Sequence, residues 1–188
     1  MCESESRTKA LALPVSADLH LQFGDHVKSS CLRPFPSLYF AVGLVEEVAE
    51  LAEELEQEKG QEQKSHEQEA IEGELGDTLW YLYALCNTLE GVEPCLPPPP
   101  CLLNNPLSSS SSSSCLLALV GSLCGSLKKW SRGDKGWQEF KDRIQKQVSS
   151  LLLLLASLGD VEEAMRNNIA KIQGRRERGT LRGDGSNR

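Results

Sequence analysis

With 188 residues, 39% of them hydrophobic and only 5% aromatic, the chain can bury one sizeable core and points to Leu/Ala-rich helix packing. Its net charge of −7 is uneven: residues 1–94 carry 6 basic and 19 acidic side chains, residues 95–188 carry 14 and 8, and the basic half is too modest and too short of interleaved aromatics to argue for nucleic acid. Seven cysteines without any C-x-x-C support neither a zinc site nor a disulfide framework, and no apolar run is long enough to span a bilayer.

Residues 1–35 read as an N-terminal arm. It begins MCESESRTKA, acidic early and without a signal-peptide apolar region, so a cytoplasmic location is expected, with organelle import left open. Leu19, Leu21, Phe23 and Val27 are candidate core contacts on a short helix near 16–31, broken off by Pro34 and Pro36. His20 and His26 read as surface or structural groups rather than catalytic ones.

Residues 36–90 are predicted to form a helical hairpin, with helices over 37–57 and 67–90. Glu47 and Glu50 stand three apart in the first helix, and Glu74 and Asp77 do so in the second, so each pair shares a helix face. In an antiparallel hairpin, positions equidistant from the turn lie level. Both 47 with 77 and 50 with 74 centre on 62, inside the loop KGQEQKSH. One hairpin therefore gathers all four carboxylates.

Such a cluster needs compensation, because two like charges about 4 Å apart repel by roughly 4 kcal/mol at an effective dielectric of about 20. Either protons stay on with raised pKa, or a cation neutralises the group. All-oxygen ligands suit Mg²⁺, with Mn²⁺ as second choice, and Mg²⁺ held by carboxylates usually shares its shell with phosphate oxygens. A solvated acidic helix pair is the bland alternative. Against it, the acids interleave with Leu44, Val48, Leu51, Leu75 and Leu79, near the apolar seam. Gly76, between Leu75 and Asp77, predicts a close helix approach.

Residues 91–114 hold four consecutive prolines and seven serines, and read as a flexible linker. Residues 115–158 then repeat the hairpin pattern. LVGSLCGSLKKW (119–130) resembles Leu44–Leu55, and KQVSSLLLLLASL (146–158) resembles Gly73–Leu85. The alignment sets Ser122, Gly125, Gln147 and Ser150 against the four acids, and the pairs 122/150 and 125/147 both centre on 136. This second hairpin is expected to keep the packing and to have lost the metal chemistry. Residues 159–188 supply a last helix over 160–178, N-capped by Asp160, and a basic tail.

The pattern Glu47-x-x-Glu50 with Glu74-x-x-Asp77, preceded by Gly43-Leu44 and followed by Leu79-Trp80-Tyr81-Leu82, resembles the all-α nucleoside triphosphate pyrophosphohydrolases: MazG-like enzymes, dCTP pyrophosphatases and dimeric dUTPases. The run Asn167-Asn168-Ile169-Ala170-Lys171-Ile172 and the tail from Arg178 resemble the C-terminal part of MazG-like members. The resemblance covers roughly 36–90 and 115–188 and leaves the arm and linker aside.

The resemblance implies an all-α fold whose four-helix core comes from two tandem hairpins, a single-chain pseudo-dimer with flanking helices. It implies Mg²⁺-dependent hydrolysis of a (d)NTP to monophosphate and pyrophosphate, a housecleaning activity on nucleotide pools. Glu47, Glu50, Glu74 and Asp77 would hold the metal, and one of Glu46, Glu47 and Glu50 would take a proton from the attacking water. Asn168 and Lys171 would bind substrate phosphate or complete the site, with Arg175 or Arg178 helping, although their segment follows the second hairpin and must reach the first. Trp80 would meet the base, or else fill the core. The alternative is a non-catalytic interaction or regulatory protein on the same scaffold. Association of two chains stays open, and neither nucleic acid nor membrane is expected as a partner.

Overall fold

The computed structural model describes residues 16–31, 36–57, 64–95, 109–134 and 136–180. Among them are six helices and no strand: α1 (Ala17–Ser30), α2 (Ser37–Gln57), α3 (Lys64–Asn87), α4 (Ser109–Ser131), α5 (Trp137–Leu158) and α6 (Val161–Glu177). The all-α expectation holds. The predicted ends of α1, α2, α3 and α6 agree within about three residues, as expected where ends fray.

Local chemistry starts and stops these helices. The Ser16 hydroxyl accepts the Leu19 amide at 3.3 Å at the start of α1, and Asp160 accepts the Glu163 amide at 3.1 Å at the start of α6, the cap expected from sequence. After α3 the chain turns through Gly91, whose φ of 67° lies in the left-handed region open to glycine.

The hairpin α2–α3 packs on α4 through α2, and α5 lies against α4. Ser113 reaches the Ala52 carbonyl while Cys124 reaches that of Ala41, so α4 runs antiparallel to α2. Gln145, near the start of α5, exchanges two hydrogen bonds with the Glu93 backbone beyond the end of α3, and Gly159 approaches Leu75. Hence α5 runs antiparallel to α3. Leu44, Leu51, Leu75, Leu79, Leu82, Leu123, Ile144 and Leu151 are fully buried between the helices. Each such side chain contributes roughly 1.5–3 kcal/mol.

The serine run departs from its reading as linker. Helix α4 already begins at Ser109, and Ser112 and Ser113 are buried. Small side chains let α4 come close to α2, and the Ser113 hydroxyl finds the Ala52 carbonyl at 3.5 Å. A hydroxyl so partnered is not costly to bury. The four prolines, the loop 58–63 and the tail 181–188 lie outside the described residues.

The last helix is not remote from the first hairpin. α6 packs directly along α3, and α1 packs on both. Gly76 permits this: a Cβ there would lie 2.8 Å from the Ala164 carbonyl oxygen. The close approach expected at Gly76 is real, and its partner is α6. No helix among the described residues is long and apolar enough to cross a membrane.

Candidate active site

The hairpin places one carboxylate oxygen each from Glu47, Glu50 and Glu74 within 4.8 Å of one another. Glu47 and Glu50 share a face of α2 through their spacing, and the antiparallel register sets Glu74 opposite. Glu47 is buried, Glu74 half-buried and Glu50 exposed, so the cluster runs from the core to the surface.

Burial first, and then the charges of Asp77, Glu74 and Glu50, push the Glu47 carboxyl up to about 8. Burial, followed by Asp77 and Glu50, pushes Glu74 up to about 7. The Lys171 ammonium opposes both shifts without cancelling them. Among the described residues Glu74 Oε2 is buried without a hydrogen-bond partner. Convergent oxygens, raised pKa values and an orphaned acceptor together fit a divalent cation, and the all-oxygen donor set favours a hard one.

Asp77, the fourth acid, acts on the trio through its charge while its oxygens are engaged by α6. Its Oδ1 accepts the Asn168 side-chain amide at 2.6 Å, and its Oδ2 is paired with the Lys171 ammonium. Asn168 is 3% exposed, and its own carbonyl oxygen is buried without a partner among the described residues. The two α6 residues assigned by resemblance thus meet the acidic hairpin itself. Sequence reasoning had them reaching this site and did not name Asp77 as their partner. The available signal was charge complementarity between an acidic and an amide/ammonium pair at the same three-residue spacing.

The remaining candidates are spread more widely. Glu46 is exposed and outside the cluster. Arg175, one turn beyond Lys171, is half-buried, and Arg178 is exposed at the C-cap of α6, with its guanidinium over Gly174. Of the two readings of Trp80, base contact or core, the packing matches the core one. Trp80 is 6% exposed, packs near Phe40 and Tyr81, and donates its indole N–H to Ser30 of α1 at 3.0 Å. That bond satisfies the indole donor inside the core.

Sequence reasoning also missed a contact that holds the hairpin closed. A Cβ on Gly43 would lie 2.1 Å from the Tyr81 ring, so only glycine lets that ring come so close to α2. Burial raises the Tyr81 hydroxyl pKa, and a hydrogen bond with Tyr39 adds to the shift.

In the second hairpin, Gln147 donates to the Ser122 hydroxyl at 2.6 Å, while Ser150 is exposed and a Cβ on Gly125 would meet open space. Two of the four positions aligned with the acids therefore do meet, and they meet as neutral groups.

Residues 37–93 match the family model of the MazG nucleotide pyrophosphohydrolase domain. The match spans α2, α3 and the turn beyond them, and so contains Glu47, Glu50, Glu74 and Asp77. The resemblance to all-α nucleoside triphosphate pyrophosphohydrolases is borne out over this stretch. It points to a nucleotide pyrophosphohydrolase in general terms, and to a nucleotide as the substrate class. No curated protein and no solved structure matches the chain.

Proposed function

We propose that this chain, with its MazG-type stretch over residues 37–93, hydrolyses a (deoxy)nucleoside triphosphate to the monophosphate and pyrophosphate with Mg²⁺, Mn²⁺ serving as substitute. The observation that carries the reading is the convergence of Glu47, Glu50 and Glu74 within 4.8 Å, two of them with carboxyls held well above the ordinary range. An acidic surface without function has no reason to bury such groups, since each buried unpaired charge costs several kcal/mol.

Glu47, Glu50, Glu74 and Asp77 would hold the metal. Bound there, Mg²⁺ would neutralise triphosphate charge and lower the pKa of the attacking water. The chain's own residues do the rest. Glu50, the exposed member of the cluster, is best placed to take the water's proton, with Glu46 one helical step away. Asn168 and Lys171, already on Asp77, are at hand for phosphate, and Arg175 and Arg178 extend the same helix with further positive charge. Buried Glu47 fixes the floor of the site.

We read α4–α5 as the degenerate copy of α2–α3, covering its apolar face within one chain. Its Ser122–Gln147 contact supplies no charge for a metal. One site per chain follows, acting on a free nucleotide in a housecleaning role.

The test is pyrophosphate release from a panel of NTPs and dNTPs with Mg²⁺, beside the Glu74→Gln, Asp77→Asn double variant. Release by the wild type alone supports the reading and identifies the base. No release from any nucleotide by folded protein would favour a non-catalytic scaffold instead.

A further inference from the structure

Asp77 belongs to the acidic group by register, yet both of its oxygens are engaged by α6, one by Asn168 and one by Lys171. The trio Glu47, Glu50 and Glu74 is left to converge without it. Lys171 is also the basic group whose charge acts on both Glu47 and Glu74.

We propose that Lys171 is the internal counter-ion of this cluster in the metal-free protein, and that a divalent cation entering among the three glutamates takes Asp77 from Lys171, freeing Lys171 and Asn168 for the phosphates of the substrate. This inference rests on the metal-site reading given above.

The physical case starts from charge. Four carboxyl groups share one ammonium, so a divalent cation competes for the same oxygens with twice its charge. Lys171 sits on a flexible four-carbon stem and is part-exposed, at 27% of its side chain, so it can leave without disturbing the core. Asn168 is different. It is nearly fully buried and anchored on α6 against Gly76, so it stays in place and only changes the partner of its amide. Its carbonyl oxygen is buried without a partner among the described residues, an acceptor still available at this site. The exchange couples two loads. Metal entry creates the free ammonium that the incoming phosphate needs, and phosphate bound to that ammonium keeps it from returning to Asp77. Lys171 is thus a positioning residue for metal as well as a phosphate ligand.

The experiment measures Mn²⁺ binding alone, without nucleotide, by the loss of the free-ion paramagnetic resonance signal. It compares full-length wild type, Lys171→Met, Lys171→Arg and Glu50→Gln, each checked for helicity. Lys171→Met is expected to bind Mn²⁺ more tightly, on the order of tenfold, because a competing positive charge a few ångströms away is gone. Lys171→Arg keeps the charge and should stay near wild type. Equal or weaker binding by folded Lys171→Met overturns the exchange while leaving the metal site standing. Absence of Mn²⁺ binding by the wild type, or undiminished binding by Glu50→Gln, overturns the metal-site reading and the exchange with it.

A second measurement needs no variant. Acylation of lysines in the wild type, mapped by mass spectrometry, should show Lys171 protected in metal-free protein and more reactive once Mg²⁺ is added. Unchanged labelling of Lys171 overturns the exchange even if Lys171→Met does not fold.

Discussion

The Asp77 carboxylate on α3 accepts the Asn168 amide on α6 at 2.6 Å, across 91 positions of sequence. The bond is made out of water, since Asn168 is 3% exposed. Asn168→Ala should cost about 1–3 kcal/mol in urea unfolding, because a buried carboxylate oxygen loses its donor. Pyrophosphate release should fall with it. Asn168→Asp should be worse in chelator, where it sets a like charge against Asp77, and should partly recover with Mg²⁺. Full stability of Asn168→Ala would mean that α6 is held by its apolar contacts alone.

Gly76 tests the same junction from the backbone. A Cβ there meets the Ala164 carbonyl oxygen at 2.8 Å, and backbone cannot yield as a side chain can. Gly76→Ala is expected to destabilise by about 1–3 kcal/mol through overpacking, and to reduce nucleotide turnover as Asn168 and Lys171 shift. Gly73, one turn earlier, faces open space. Gly73→Ala should therefore be neutral, or stabilising by up to about 1 kcal/mol through helix propensity. Denaturant midpoints for the pair decide it: equal effects of the two substitutions would argue against a close α3–α6 approach.

The raised carboxyls predict how pH acts on metal-free protein. Glu47 rises to about 8 and Glu74 to about 7, both from an ordinary value of 4.5. Between the ordinary and the raised values the folded state binds more protons than the unfolded one. Stability therefore falls as pH rises through that window, in chelator. Mg²⁺ binding should release protons and tighten toward pH about 8, seen as a buffer-dependent heat in calorimetry. Glu47→Gln should flatten the stability profile. A profile that rises with pH between about 5 and about 8 would contradict the assignment.

Trp80 separates a core role from a base-reading one. Its indole N–H is satisfied by Ser30. Ser30→Ala leaves that donor buried and unpaired, at an expected cost of about 1–3 kcal/mol. Trp80→Phe removes donor and bulk together, so thermal stability should fall while KM for the preferred nucleotide stays within about twofold, well under the tenfold that about 1.4 kcal/mol of lost binding would produce. A large rise in KM with unchanged stability would return Trp80 to the substrate site.

Much of the site was legible because it is built from local periodicity. The three-residue spacing of Glu47 and Glu50, and the shared centre at 62, follow from helix geometry and loop length alone, and Glu74 indeed meets both. Asp160 was readable as a cap for the same reason. Composition was a poorer guide. Serines 109–114 suggest a loop because serine competes for backbone hydrogen bonds, yet α4 holds them in a helix where α2 offers a covering surface and a carbonyl for Ser113.

The sequence by itself determined the helices, their amphipathic faces and the register of the first hairpin, since each depends on residues within a few turns of one another. Only the tertiary structure decided which helix Gly76 admits, that α6 engages both oxygens of Asp77, and that Trp80 turns inward to Ser30. Those outcomes depend on contacts between elements far apart in the chain, where burial and charge choose among partners that local spacing leaves equivalent.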